Sequence, residues 1–322
     1  MAEALVEVRN VKKYFPVKGK KDKFVKAVDD VSFDVLKGEI LGVVGESGCG
    51  KSTLSRCIMR LVDITGGTVK FNGQDVHKIN GREMLELRKH MQMVFQNPFS
   101  SFNPKHTIGK SLDEVGVLFG LDEKQRKDRV NELLEVTGLD EIVLTRRPSE
   151  LSGGQLQRLA IARALIPSPQ FIMADEPVSA LDVSVQAQIL NLMLKLHNEL
   201  SATIMFIAHD LSVVEHICDR VIVMYLGAIM EMGSADAIFS RTQHPYTQVL
   251  MGSKPKEHPD EKKERILLEG DIPSAMNVPE HCRFNSRCPR FMAGKCDAVT
   301  PELIQVAEDH WVACHLAHVE EA

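Results

Sequence analysis

The sequence predicts an α/β fold built on a parallel sheet, with an antiparallel β region before it, a helical insertion within it and a small unit after it. Three observations predict this. Glu39–Val44 is an apolar run that feeds Gly45-Glu46-Ser47-Gly48-Cys49-Gly50-Lys51-Ser52, and Ser52–Met59 then has the composition of a helix. Phe171–Glu176 and Thr203–Ala208 repeat the apolar run, closing on Asp175-Glu176 and on His209. Short apolar runs bounded by polar residues fit strands covered on both faces, as in parallel sheets.

The other segments follow in order. Residues 5–45 contain short alternations such as Ala27–Val35, which predict antiparallel strands, with basic Lys18–Lys26 as a solvated hairpin tip. Residues 98–150 are richer in helical periodicity, as in Gln125–Leu134. The composition changes after about residue 235. His244-Pro245-Tyr246 opens a helix-like stretch, Lys254–Arg265 is a charged linker, and four of the seven cysteines (Cys282, Cys288, Cys296, Cys314) crowd the end of the chain. Cys57 and Cys218 lie in apolar contexts and read as small buried hydrophobes.

Composition sets limits. The 322 residues suffice for one sizeable core and a smaller unit. A formal charge of −5 argues against nucleic acid as the main partner. Met1-Ala2-Glu3-Ala4-Leu5 lacks a basic and apolar leader, so no signal peptide is expected. No apolar run approaches about 18 residues, so contact with a membrane is expected through partners.

Two strings carry most of the chemistry. Gly45–Ser52 fits the phosphate-cradling pattern G-x-x-x-x-G-K-[ST]. Its glycines let backbone N–H groups turn inward as an anion nest, and the following helix aims its positive end at the phosphates. Lys51 supplies a charge for the terminal phosphates and Ser52 a hydroxyl for Mg²⁺; Cys49 fills a variable position. Strand and helix context weigh against a chance glycine turn, which the pattern alone would give in about one per cent of chains this long. The second string is Leu151-Ser152-Gly153-Gly154-Gln155. Asp175 at a strand end can hold Mg²⁺ through water, and Glu176 beside it can polarise an attacking water. Gln96 in Met93–Pro98 stands at another strand end, Ser179-Ala180-Leu181-Asp182 follows the acidic pair, and His209 follows the next strand. Singly, Gln96 reads as a surface amide and His209 as an ordinary strand-end histidine; the order of all the pieces together selects the catalytic reading.

With those residues in place, residues 5 to about 235 resemble the ATP-binding subunit of an ABC transporter. The resemblance implies a P-loop ATPase core of that type, with the helical insertion at about 98–150 gripping the membrane subunits, and a C-terminal extension over 236–322. It assigns Gly45, Glu46, Ser47, Gly48, Cys49, Gly50, Lys51, Ser52 and Thr53 to ATP and its phosphates, and Ser52, Gln96 and Asp175 to Mg²⁺. Glu176 becomes the general base, His209 the switch that touches the terminal phosphate, and Phe15 the adenine-stacking ring, ahead of Tyr14. Ser152, Gly153, Gly154, Gln155 and Asp182 act in trans on ATP held by a second subunit, a copy or a paralogue. Every catalytic position matches the family pattern.

The cysteine set leaves several readings. Disulfides are disfavoured where no leader is present and the ATP is cytosolic. Zinc needs four N/S ligands, but intervals of five, seven and seventeen residues are wider than short zinc knuckles. A four-iron cluster also takes four thiolates, and an empty set is a further possibility. Gly270-Asp271-Ile272-Pro273-Ser274, Cys282–Pro289 and Val312-Ala313-Cys314-His315, with Gln96-Asn97-Pro98, Ser101-Phe102-Asn103-Pro104 and Gln243–Thr247, resemble the dipeptide/oligopeptide uptake branch. That resemblance implies a 4Fe-4S cluster on Cys282, Cys288, Cys296 and Cys314, structural or docking rather than catalytic in role. It also implies ATP-driven uptake of di- or oligopeptides at the cytoplasmic face of the membrane, with two permease subunits, a solute-binding protein and no nucleic acid. Nickel and oligosaccharide importers share the pattern. A non-transport ABC ATPase is disfavoured, because no long coiled coil separates Gln96 from Ser152 and the chain holds a single core.

Overall fold

The computed structural model describes residues 3–20, 23–179, 181–252 and 273–317. The charged stretch 254–265, Gly270-Asp271-Ile272 and Ala180 lie outside the described residues. The first half of the chain runs β1 (Ala4–Pro16), β2 (Phe24–Leu36), β3 (Ile40–Val44), α1 (Lys51–Ile58), β4 (Gly66–Phe71), β5 (Gln74–Asp75), α2 (Gly81–His90), β6 (Met91–Val94), α3 (Ile108–Leu118), α4 (Glu123–Thr137) and α5 (Gly153–Leu165). The second half runs β7 (Phe171–Asp175), α6 (Val183–Leu200), β8 (Thr203–Ile207), α7 (Leu211–Ile217), β9 (Arg220–Tyr225), β10 (Ala228–Ser234), α8 (Ala235–Ser240), α9 (Pro245–Gly252), β11 (Ile304–Ala307) and β12 (His310–Val312). These divide into two compact units, one of residues 1–35, 41–77 and 208–322, the other of residues 36–40 and 78–207.

In the first unit, one sheet has the order β2-β1-β4-β5, with Val8 opposite Val69 in an antiparallel pairing. Val6 and Val8 alternate inward; Asn10 then takes φ 49° at a register shift, so Val11 also faces the core. An extra residue in the ladder turns the strand by one position, and Asn tolerates the left-handed backbone. The two opening strands span thirteen residues each, longer than the short alternations suggested. β3, the Glu39–Val44 run that points to a parallel sheet, pairs in parallel with β9, Val43 opposite Ile222, so the antiparallel reading of residues 5–45 stops before it. The reason is burial: all five β3 residues are enclosed, which suits a two-faced parallel strand rather than an alternating one. Beyond β9 the order continues antiparallel through β10 and β12 to β11.

In the second unit, β6, β7 and β8 are parallel, with Val94 opposite Ala174 and Asp175 opposite Ile207. The helical periodicity read at 98–150 is α3 and α4. Asp122 starts α4 with a reciprocal cap to Gln125, and Gly138 ends it in the left-handed region at φ 64°.

Candidate functional site: a phosphate loop, a carboxylate pair and a thiol group

The phosphate loop joins β3 to α1 in the first unit. Gly50 precedes the helix at φ 111°, and a Cβ there would stand 2.1 Å from the Ala27 carbonyl oxygen, so only glycine fits. The Lys51 side chain is buried and folds back, donating to the carbonyl oxygens of Gly45 (2.7 Å) and Glu46 (3.1 Å). A cation held by weak loop acceptors can be drawn off by a phosphate, whose charged oxygens bind it more strongly. Cys49 is buried with Sγ 3.8 Å from Lys51 Nζ, and burial pushes its thiol pKa up, which makes it a packing group rather than a nucleophile. Glu46 donates its backbone N–H to the Tyr246 hydroxyl (2.9 Å), and its carboxylate is gripped by Arg287.

Near the start of the chain, Phe15 is 38% exposed with Lys13 Nζ 4.9 Å over its ring. Tyr14 is occupied instead: its hydroxyl donates to Asp29, and burial with that bond pushes its pKa up to about 12. The open ring is therefore Phe15. His209 follows β8 and is exposed.

The second unit brings Gln96 and Glu176 together. Asp175 is buried at the end of β7, and Glu176 leaves the strand at φ 48°. That backbone is held by the Glu176 N–H donating to Ile207 O at 3.0 Å. A glutamate in the left-handed region is strained, and such strain persists where the surroundings impose it, often at sites of function. Gln96 Nε2 donates to Glu176 Oε2 (2.8 Å) and to Ser179 Oγ (3.2 Å). Ser179 in turn donates to the Glu176 carbonyl at 3.1 Å. A half-buried carboxylate oriented by one amide can accept a proton from water through its remaining lone pairs.

In the same unit, Ser152 caps α5. Its hydroxyl accepts from the Gln155 N–H (3.3 Å), and Gln155 Oε1 accepts from the Ser152 N–H (3.1 Å). Ser152 and Gly153 are exposed, so the positive end of a thirteen-residue helix faces outward, where an anion can be received. Gly154 is needed for packing: a Cβ there would lie 2.5 Å from Val185 Cγ1. Asp182 caps α6, accepting from the Val185 N–H (3.0 Å) and the Ser184 hydroxyl (2.7 Å), and these bonds, Ser184's foremost, lower its pKa.

The four late cysteines all belong to the first unit. Cys282 donates its N–H to the Cys296 carbonyl at 3.2 Å. Burial pushes the Cys282 thiol up to about 11, and the Cys296, Cys314 and Cys288 thiols add to the shift. Cys314 is raised by burial, with Cys288 and Cys296 contributing. Yet among the described residues no three His, Cys, Asp or Glu side chains form a set that could hold a metal ion. A single tetrahedral zinc at ~2.3 Å from each sulfur would need the thiolates within about 4 Å of one another. The four cysteines expected to hold a 4Fe-4S cluster are therefore not brought together as a metal site among the described residues. Cys57 and Cys218 are buried.

Three participants lie in strings noted in the sequence without a site role of their own. Ser179 joins the Gln96–Glu176 contact; Tyr246 and Arg287 reach the phosphate loop from 200 and 241 positions away. Arg287 lies inside a string noted for its cysteines, and nothing local points it at Glu46.

Among known proteins, the family described as ABC transporter matches residues 28–179, and the oligopeptide/dipeptide transporter C-terminal region matches residues 230–296. The oligopeptide transport ATP-binding protein AppF of Bacillus subtilis (strain 168) is 47% identical over 322 residues, covering 98% of each chain. A putative peptide import ATP-binding protein of Brucella ovis is 46% identical, covering 96% of this chain and 97% of its own length. A bacterial ABC transporter cassette solved as a dimer superposes with TM-score 0.64 at 29% identity, over 71% of this chain and 98% of that one. With relatives alike over nearly its whole length, and with the motifs seated as described, the chain belongs to the family of ABC transporter ATPase subunits that carry the oligopeptide/dipeptide transporter C-terminal region.

Proposed function

We propose that this chain hydrolyses ATP to drive uptake of di- or oligopeptides through a membrane importer. The observation that carries the peptide reading is the match of residues 230–296 to the oligopeptide/dipeptide transporter C-terminal region, together with likeness to peptide transport proteins over the full length. Residues 5–235 act as the nucleotide-binding part and 236–322 as the extension. Among the described residues no helix is long and apolar enough to cross a membrane. In our reading the chain works at the cytoplasmic face with two permease subunits, fed by a solute-binding protein, as its likeness to peptide transport ATP-binding proteins supports.

Gly45–Thr53 receive the phosphates, with Lys51 leaving its loop carbonyls for them, and Phe15 stacks on adenine. Ser52, Gln96 and Asp175 offer the hard oxygen donors that suit Mg²⁺, which when bound offsets charge on the terminal phosphates. Glu176, aimed by Gln96, takes the proton of the attacking water, and His209 contacts the terminal phosphate. Ser152, Gly153, Gly154, Gln155 and Asp182 serve ATP on a second ATP-binding subunit, a paralogue in our reading. The test is reconstitution with permeases and solute-binding protein: ATP turnover should rise with peptide. Stimulation by nickel or an oligosaccharide and not by peptide would replace the substrate class.

A second reading concerns the thiols. We propose that Cys282, Cys288, Cys296 and Cys314 hold a 4Fe-4S cluster that orders the extension; the cysteine pattern and the match of residues 230–296 to the oligopeptide/dipeptide transporter C-terminal region support this reading.

A further inference from the structure

We infer that Arg287 is a positioning residue of the nucleotide site: it clamps Glu46 and keeps that carboxylate's charge away from incoming phosphate. The inference rests on the ATP-binding reading of the Gly45–Ser52 loop.

The geometry is specific. Arg287 Nη1 and Nη2 donate to Glu46 Oε2 (2.7 Å) and Oε1 (3.1 Å), a two-pronged pair. Both partners are largely enclosed, their side chains 7% and 19% exposed. Arg287 also donates to the Tyr225 hydroxyl (3.4 Å), with its guanidinium 5.9 Å over the Tyr225 ring. The Glu46 backbone is fixed from the same side by the Tyr246 hydroxyl. Between them, Phe284 packs against Tyr225 at 5.4 Å and Tyr246 at 5.3 Å between ring centroids.

A second tie runs parallel. Arg283 donates to Asp29 Oδ2 (2.8 Å) and to the Leu226 carbonyl (2.6 Å). Gly227, next along, donates its N–H to the Cys49 carbonyl of the loop at 2.8 Å. Arg283, Phe284 and Arg287 all lie between Cys282 and Cys288: Arg287 grips the loop at Glu46, Arg283 holds Asp29 and Leu226 beside it, and Phe284 packs on the two tyrosines between them.

The chemistry gives the direction. A glutamate inside an anion nest is a liability, because its charge repels the phosphates that the nest is built to take. Arg287 cancels that charge and ties both carboxylate oxygens to one side of the loop. An unpaired like charge within several ångström of phosphate, at an effective dielectric of about 20, weakens binding roughly tenfold or more. A two-pronged clamp also fixes the loop backbone before ATP arrives, so less ordering is left for binding to supply.

The experiment measures equilibrium binding of a fluorescent ATP analogue on the full-length chain, and the KM and kcat for ATP on the transporter assembled with it. Arg287→Ala should raise Kd and KM roughly tenfold with little change in kcat, and Arg287→Lys should recover part of the loss. Adding Glu46→Gln to Arg287→Ala should recover most of it, which a loss through loosened folding would not allow. If Arg287→Ala does not fold, Arg287→Lys with and without Glu46→Gln makes the same comparison. Binding by Arg287→Ala within twofold of the unaltered chain, or no recovery in the double variant, overturns the clamp. Lys51→Ala is the control: lost binding there upholds the ATP reading whatever Arg287 does, and normal binding overturns that reading and the clamp with it.

Discussion

Gln96 donates its side-chain amide to Glu176 Oε2 at 2.8 Å across eighty positions of sequence. The contact ties the end of β6 to the end of β7 and fixes which carboxylate oxygen stays free for water. Gln96 is exposed while Glu176 is half-buried, so the amide can turn toward a ligand without unpacking the core.

Glu176→Gln should keep ATP binding and cut turnover by about 10²–10⁴-fold, the scale for loss of a general base. The amide is nearly isosteric and can still accept from Gln96, so the change removes basicity rather than shape. Steady-state phosphate release from the assembled transporter checks this; near-normal turnover would remove Glu176 from the role.

Ser152→Arg should impair ATP turnover on the partner subunit and leave binding at this chain's Lys51 mostly intact. The physical reason is that the exposed start of α5 offers its helix end outward, where an anion held by a second subunit can be received. Crosslinking a photoreactive ATP analogue to each subunit separately distinguishes the two; loss of label confined to this chain's own site contradicts the in-trans role.

Gly154→Ala should destabilise the second unit by about 1–3 kcal/mol, because the new methyl meets Val185 Cγ1 at 2.5 Å in a packed contact. Gly153→Ala meets Leu181 Cδ2 at 3.5 Å, an ordinary contact, and should cost far less. Thermal unfolding of the two variants side by side makes the comparison; equal losses would show that the α5–α6 contact yields easily.

Protein purified without oxygen should be brown and carry about four irons per chain, and any single change of Cys282, Cys288, Cys296 or Cys314 to Ser should bleach it. Metal analysis and visible absorption read this directly. Stoichiometric zinc with no iron would keep the ligands and replace the centre.

His244 gives a pH signature. It is fully buried, which lowers its pKa from 6.5 to about 4, against a partly opposing pull from Glu231. Its Nδ1 accepts the Tyr246 N–H at 3.0 Å, a bond that only the unprotonated nitrogen can make. The unfolded chain takes up a proton near pH 6.5 that the folded chain refuses until about 4. This contribution is therefore complete above pH 6.5 and is lost as pH falls towards 4. Urea midpoints should drop less over that window in His244→Gln than in the unaltered chain.

The phosphate-loop and strand-end motifs are legible in the sequence because their parts are local. Gly45–Ser52 needs glycine where the backbone turns through φ 111° at Gly50, and such a demand leaves its mark in consecutive residues. The strands ending at Asp175 and before His209 declare themselves the same way, since burial on both faces leaves polar residues only at the strand ends. What only the tertiary structure decided are pairings between distant positions whose residue types are individually ordinary. Parallel pairing of β3 with β9, the Ser179 support of Glu176 and Gln96, and the Arg287 grip on Glu46 all depend on which side chains the fold brings within 3.5 Å. A hydrogen bond or ion pair acts only at contact, so a residue's type fixes what it can bind, and the path of the chain fixes what it meets.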